Sequence, residues 1–343
     1  MSRITTTTIA NRLGLSRGTV SKALNNKDKI DERTRLLVQK TAGELGYKNF
    51  KHTIIHADTS LNKTLSILVR DNLLGEPYWA VFIKGFENEA ASKNFRYTVN
   101  VISTEEEAAL LLPKNFIADP PVGIVTIGPI SEAYYRRLQS EKIPAVYVDT
   151  ARNVNDASIF GDTLFVCNKE HVHEITAHLI GQGHTKLGFI SIGGADCRSL
   201  HERWLGFASA LEENGIPILP RFIYGIAEDE VFQNIRPWVT SLKEFPTVFV
   251  CANDFIALTA KSALNDMGLD VPGDIALCGF DDDRRLAALY PDLTTVDSYA
   301  EYMGKRAMQK LYWRLNNPNE PYEVVRISSK IYYRNSTEGY IFK

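Results

Sequence analysis

The sequence predicts an α/β protein in which a small all-α head precedes a larger, two-lobed body of doubly wound parallel sheets. Three observations lead there. From residue 64 onward, strand-like and helix-like segments alternate roughly every 30 residues, the pattern of parallel sheets covered by helices on both faces. The first 48 residues instead carry short amphipathic segments at helical spacing. Charge divides along the same line: residues 1–52 hold eleven Lys/Arg against four acids, a net +7, which leaves 28 against 37, a net −9, for the remainder. At 343 residues the chain exceeds the ~100–200 residues of one domain, and 44% hydrophobic with 23% charged residues is ordinary globular composition.

In the head, TTTTIANRLGLSRGTVSKALNN repeats Ile9, Ala10 and Leu13 at helical spacing, breaks at Gly14, and places Ser16 to cap a second helix. Ala10 is small where two helices would cross, Gly14 tolerates the positive φ of a tight turn, and Val20 closes the core between them. A third amphipathic segment starts near Asp31, turns Leu36, Leu37, Ala42 and Leu45 inward, and ends at Gly46. The result is a helix-turn-helix. With its second helix in a major groove, Arg17, Gly18, Ser21 and Lys22 form the exposed edge. Arg17 and Lys22 have donors for guanine O6 and N7, and Gly18 allows close backbone approach. Thr5, Thr19 and Ser21 suit phosphate contacts, and Ser16 caps the helix that carries the set. The basic excess fits a polyanionic partner, because neutralised phosphates release counterions.

IANRLGLSRGTVSKALN, followed by ERTRLLVQKTAGELGY, resembles the lactose/galactose repressor (LacI/GalR) family of bacterial transcription regulators, with cap, turn, recognition helix and third helix in order. By that resemblance Arg17, Gly18 and Lys22 occupy the positions that read operator bases. The linker departs from the family. Asn49 and Phe50 stand where the family has Pro-Asn, and His56 stands where a hinge-helix leucine wedges into the minor groove. A histidine enters a base step poorly, so kinking in the family's manner is not expected of His56, whereas Ile54 or Ile55 would supply the wedge in a shifted register.

Candidate strands of the body are TLSILV, YTVNVI, GIVTIG, AVYVD, KLGFISI, FIYGI, TVFVCA and IALCGFD; amphipathic stretches at 78–94, 166–181, 201–214 and 254–267 lie between them. Eight strands suit two doubly wound lobes with a cleft at the carboxyl ends of their strands. Polar residues gather at those ends: Asp149 after AVYV, Asn253 after VFVCA, and Asp281 after ALCGF. Ser199 and Arg203 lie one helical turn apart, and Tyr78 and Trp79 follow a proline that opens a helix. A sugar or related polyol needs this combination of carboxylates, amides, an arginine and an aromatic face. Asn253 and Asp281 equally fit helix caps, and Trp79 equally fits the core. The body resembles the periplasmic-binding-protein-like body of the same family. That implies effector contacts at Tyr78, Trp79, Asp149, Ser199, Arg203, Asn253 and Asp281. It also implies domains of 1–48 (helix-turn-helix), 49–63 (linker) and 64–343 (body). Lobe 1 then takes about 64–162 and 291–322, and lobe 2 about 163–290 and 323–343.

Other chemistry finds less support. Cys167, Cys197, Cys251 and Cys278 are far apart with no CxxC and read as small core residues. His171, His173 and His178 lie on one helix without convergent ligands, so no metal is expected, and ISIGGAD lacks a phosphate-loop pattern. No nucleophile-base pair or paired carboxylates indicate an enzyme, and no cofactor is expected. No apolar run reaches a membrane span and MSRITTTTIANRLG lacks an apolar leader, which points to a cytoplasmic protein. The expected function is a ligand-responsive DNA-binding transcription regulator, a repressor in most of the family. Its expected partners are a palindromic double-stranded operator, a small polar effector and a second copy of the chain. The ending EGYIFK lacks the family's tetramer-forming tail, so a dimer is expected. The alternatives are a sugar-binding, solute receptor-like protein without regulatory role, which fits poorly with a basic head, and an enzyme using the cleft.

Overall fold

The computed structural model describes residues 5–24, 30–31, 34–35, 37–38, 41–42, 45, 64–73, 77–154, 161–192, 197–226 and 232–340. The linker positions Asn49, Phe50 and His56, together with Leu36, Gly46 and the GGAD stretch, lie outside them. The chain divides into two compact units, Met1–Leu61 and Asn62–Lys343.

In the first unit α1 (Thr6–Leu13) starts with reciprocal capping. The Thr8 amide donates to Thr5 Oγ1 at 3.3 Å, and the Thr5 amide donates to Thr8 Oγ1 at 3.2 Å. Gly14 ends it at φ 66°, a conformation that costs an L-residue with a Cβ about 1 kcal/mol. Ser16 Oγ accepts the Thr19 amide at 3.0 Å and opens α2 (Arg17–Leu24). Asp31 accepts the Thr34 amide at 3.0 Å, ahead of helical residues at 34–35, 37–38 and 41–42. Ile9, Ala10, Val20, Ala23, Val38 and Ala42 form the core. Leu37, expected inside, is 48% exposed, and Val38 is buried instead. Positions 38, 42 and 45 share a face at helical spacing, whereas 37 lies about 100° away from 38.

The second unit begins with β1 (Thr64–Arg70), α3 (Pro77–Ser92), β2 (Arg96–Ile102), β3 (Gly123–Ile127), α4 (Glu132–Ser140), β4 (Ala145–Val148) and β5 (Asp162–Val166). It continues with α5 (Asn168–Gly181), β6 (Leu187–Ile190), α6 (Arg198–Glu213), β7 (Ile223–Tyr224), α7 (Ile235–Ser241), β8 (Val248–Cys251), α8 (Asp254–Asp266) and β9 (Ala276–Cys278). The remaining principal elements are β10 (Thr295–Asp297), α9 (Ala300–Asn316), β11 (Val324–Ile327) and β12 (Lys330–Tyr332). One parallel sheet runs β11-β5-β4-β3-β1-β2 and another β7-β6-β8-β9; β10 and β12 pair antiparallel. Strand residues alternate between two cores. Val125, Ile127, Val146 and Val148 face one, while Ile124, Ala145 and Tyr147 join α4 residues Tyr134, Tyr135 and Leu138 in the other. Burial on both faces is why these strands read as continuous apolar runs. On one face α3 and α9 cross at two glycines. A Cβ on Gly85 would sit 1.9 Å from the Glu301 carbonyl oxygen, and one on Gly304 would sit 1.8 Å from that of Phe82.

Strands β5, β10, β11 and β12 are absent from the expected set, and they move all three crossovers later in the chain. The chain was expected to change lobes near 163, 290 and 322. Instead β5 pairs with β4, β11 pairs with β5, and residues Thr294 and Asp297 bridge to Cys278 and Asp281 beside β9. The crossings therefore follow Val166, Asp297 and Ile327. A buried ion cluster fixes the first sheet's edge: Asp162 accepts Arg314 Nε at 2.7 Å, Arg314 Nη2 at 3.0 Å and the Glu323 amide at 2.9 Å, with Lys310 Nζ at 3.2 Å. These bonds tie the start of β5 to α9 and to the residue before β11. No helix among the described residues is long and apolar enough to cross a membrane.

Candidate ligand cleft and nucleic-acid-facing helix

On the head, Thr5, Ser16, Arg17, Gly18 and Lys22 are exposed, whereas Thr19 and Ser21 are half-buried. The Ser16 and Thr19 hydroxyls lie 2.8 Å apart and bond to each other, so both serve first to start α2. Val20 and Ala23 bury the opposite face. One helix thus exposes Arg17 and Lys22 while burying Val20 and Ala23.

In the body, Tyr78, Trp79, Asp149, Ser199, Arg203, Asn253 and Asp281 all line one cavity of about 390 Å³ at the carboxyl ends of both parallel sheets. The two sheets meet around it. Asp149, just past β4 at φ 55°, reaches the amino end of α6. It accepts the Ser199 hydroxyl at 2.6 Å, the Ser199 amide at 3.2 Å and the Cys197 thiol at 2.9 Å. The Arg198 amide donates to the Thr150 carbonyl at 2.8 Å, and Ala151 bridges to Cys197. Asp149 and Ser199 therefore join strand β4 to helix α6 across the cleft, in addition to facing it.

Arg203 is built into the wall. Nη1 donates to the Ala252 carbonyl at 2.6 Å, Nε to Asn168 Oδ1 at 3.0 Å, and Nη2 to Asp281 Oδ1 at 3.4 Å. Its guanidinium lies 3.7 Å from the Phe280 ring centre. Asp281 has φ 110° and pairs with Arg203; the helix-capping role falls to Asp283, whose side chain accepts the Arg285 amide. Asn253 does cap α8, its Oδ1 accepting the Ile256 amide at 2.9 Å while the residue lines the cavity. Trp79 is likewise both core and wall, 7% exposed and edge-on to Tyr78 at 4.9 Å and Phe82 at 5.7 Å.

Burial governs the electrostatics. It raises Asp149, against the pull of Cys197 and Ser199. Asp281 is lifted to about 6 by burial, with Arg203 opposing. Asp254, behind Asp281, is pushed to about 8 by burial and then by the charge of Asp281, although Thr295 Oγ1 at 2.6 Å and the Asp283 amide at 2.9 Å donate to it. Burial and the neighbouring Asp149 carboxylate hold the Cys197 thiol well above its ordinary value. Of the four cysteines only Cys251 and Cys278 are buried; Cys197 lines the cleft and Cys167 is half-buried, which corrects the reading of these two as core residues.

Sequence reasoning missed Arg70, Asn72, Phe165, Asn168, Cys197 and Gln233 in the cavity wall. Arg70 ends an apolar strand just as Asp149 does, a cue that was available. Phe165 and Asn168 follow from recognising β5. The three histidines diverge: His173 contacts Glu213 and His178 contacts Glu338, while His171 Nε2 accepts the Ser329 amide. Among the described residues no group of three or more His, Cys, Asp and Glu is placed to hold a metal ion.

A helix-turn-helix head on a two-lobed parallel α/β body with a ligand-sized cleft defines a class: regulatory proteins that combine a DNA-binding module with a small-molecule receptor. Comparison with known proteins agrees. The model for "Bacterial regulatory proteins, lacI family" matches residues 5–49, and that for "Periplasmic binding protein-like domain" matches 176–337. The head thus carries a lacI-family domain of bacterial regulatory proteins and the body a periplasmic binding protein-like domain. The HTH-type transcriptional repressor PurR of Proteus mirabilis is 28% identical over 341 residues, 96% of this chain and 95% of that protein. The fold is similar to that of the transcriptional regulator CelR in complex with cellobiose, with a TM-score of 0.68, 22% identity, and 97% and 100% of the two chains covered. A lac repressor dimer bound to operator and the anti-inducer ONPF gives a TM-score of 0.68 at 18% identity, covering 98% and 99%.

Proposed function

We propose that the protein is a cytoplasmic, ligand-responsive transcriptional repressor. In this reading it binds a palindromic operator as a dimer through residues 1–48 and senses a sugar or related small polar metabolite between the lobes of residues 64–343. The carrying observation is the convergence of seven side chains, from three strand ends and two helix starts, on one cavity between two parallel sheets. Such a cavity, with an aromatic wall and few fixed polar groups, suits a small polar molecule. Relatives are named as transcriptional repressors, and a protein of similar fold was solved with cellobiose.

The mechanism is linkage. A ligand touching Tyr78 and Trp79 on one lobe and Arg203, Asn253 and Asp281 on the other stabilises one lobe arrangement over others. The Asp149–Ser199 contact joins the two lobes across the cleft, an arrangement that a ligand can favour or oppose. Two recognition helices, one per protomer, then match half-sites about one helical turn apart. The test is selection of duplexes from a random pool by the full-length protein at ~150 mM salt, where non-specific phosphate binding is weak. Enrichment of a palindrome, with a dimeric mass in sedimentation, is expected. Failure to enrich any sequence, with and without a ligand that binds the body, overturns the proposal.

A further inference from the structure

The charge pattern of the cleft restricts what can enter it. Among the described residues the cavity is lined by two cations, Arg70 and Arg203, and two carboxylates, Asp149 and Asp281. Both cations are already matched. Arg70 donates from Nε and Nη2 to the two oxygens of Glu107 at 2.5 and 2.7 Å, and Arg203 is shared among Asn168, Ala252 and Asp281. A wider opening of about 1110 Å³ shares Tyr78, Asn253 and Asp281 with the cavity. Its lining brings four cations, Lys84, Arg284, Arg285 and Lys305, against seven carboxylates, and Arg285 is held by Asp283. The stretches 74–76, 155–160, 193–196 and 227–231 contain six acids and no Lys, Arg or His, so none of them supplies a cation.

We infer that the cleft takes an uncharged polyhydroxylated molecule and rejects its phosphorylated and carboxylated counterparts, an inference that rests on the cleft being the effector site. The geometry supplies the reason. Nη2 of Arg203 and Oδ1 of Asp281 stand 3.4 Å apart, at the far limit of a hydrogen bond. A hydroxyl beside them donates to Asp281 and accepts from Arg203, which satisfies both. A phosphate or carboxylate only accepts. It would lose its hydration, compete with Asp281 for Arg203, and face Asp149 and Asp281 across a small cavity whose own two cations, among the described residues, are already matched. Burial lifts Asp281 to about 6, so it remains mostly ionised at neutral pH.

The test is calorimetric titration of the full-length protein at pH 7.5, after a thermal-shift screen of a broad library of soluble metabolites. The screen contains matched sets: ribose with ribose 5-phosphate, glucose with glucose 6-phosphate and gluconate, and adenosine with its monophosphate. The expected result is a neutral binder whose charged counterparts bind ~100-fold more weakly or not at all, the mark of an uncompensated charge in a desolvated site. A charged member that binds as tightly as its neutral counterpart, or more tightly, overturns the inference and leaves the effector cleft standing. Absence of binding by every compound, neutral and charged alike, overturns the effector reading and this inference with it.

Discussion

Replacing Arg203 by methionine tests whether this residue is part of the cleft wall or a clamp waiting for ligand. The residue is 6% exposed, and its side chain makes three hydrogen bonds as well as the stack on Phe280. Methionine fills most of the volume but leaves the Ala252 carbonyl, the Asn168 amide oxygen and the Asp281 carboxylate without their donor. Breaking a buried pair costs roughly 3–5 kcal/mol, and because Asp281 reaches the cavity the lower figure, about 3 kcal/mol, is expected. Asp281→Asn in the Arg203→Met background should recover about 1–2 kcal/mol, since the stranded charge disappears. The deficit of Arg203→Met should also grow with pH. Without the cation Asp281 stays protonated to higher pH in the folded state, and a carboxyl with a raised folded pKa loses stability as pH rises. Urea unfolding followed by tryptophan fluorescence reads the body alone, because Trp79, Trp204, Trp238 and Trp313 all lie there. A loss under about 1 kcal/mol at pH 8, or strictly additive single and double variants, would refute the built-in role.

Three further outcomes are expected. Lys22→Ala should weaken binding to a selected duplex by about 1–3 kcal/mol, the range for one base-reading side chain, with helix content by circular dichroism unchanged because Lys22 is exposed; equal affinity of variant and wild type for that duplex would remove Lys22 from the reading set. Asp254 is held near 8 when folded against an ordinary value of 3.8, so only the folded state keeps that proton between those limits, and stability falls as pH rises across them. Asp254→Asn should flatten this slope in urea unfolding between pH 5 and pH 8, and an unchanged slope would show that the carboxyl does not carry it. Gly304→Val would drive its side chain into the Phe82 carbonyl at the α3–α9 crossing, and a melting temperature within a degree of wild type would contradict that packing.

The head was largely legible in the sequence because its instructions are local: Ser16 and Asp31 cap, and Gly14 turns, although the capping role of Thr5 went unread. Its one error, Leu37 for Val38, arose in an unbroken apolar triplet, LLV, whose helical phase only tertiary packing decides. In the body the long, doubly buried strands showed as apolar runs. β5 is a five-residue strand whose first residue, Asp162, is fully buried as an ion partner, and β11 alternates exposed with half-buried positions on the sheet edge. Neither looks like a buried strand in sequence, and the crossovers that depend on them were misplaced with them. The seven cleft residues were found because carboxylates, an amide and aromatics stand out at strand ends and helix starts. What the sequence did not disclose was their mutual use: Asp149 holds α6, Arg203 is committed to Asp281, and Asn253 also caps α8.

The most direct test of ligand-responsive DNA binding is the affinity of the full-length protein for its selected duplex, measured at ~150 mM salt with and without a saturating ligand of the cleft. Coupling between two sites typically amounts to 1–3 kcal/mol, so the account predicts a change of at least about fivefold in Kd, with a reciprocal change in ligand affinity when DNA is saturating. An unchanged Kd in both titrations would contradict it.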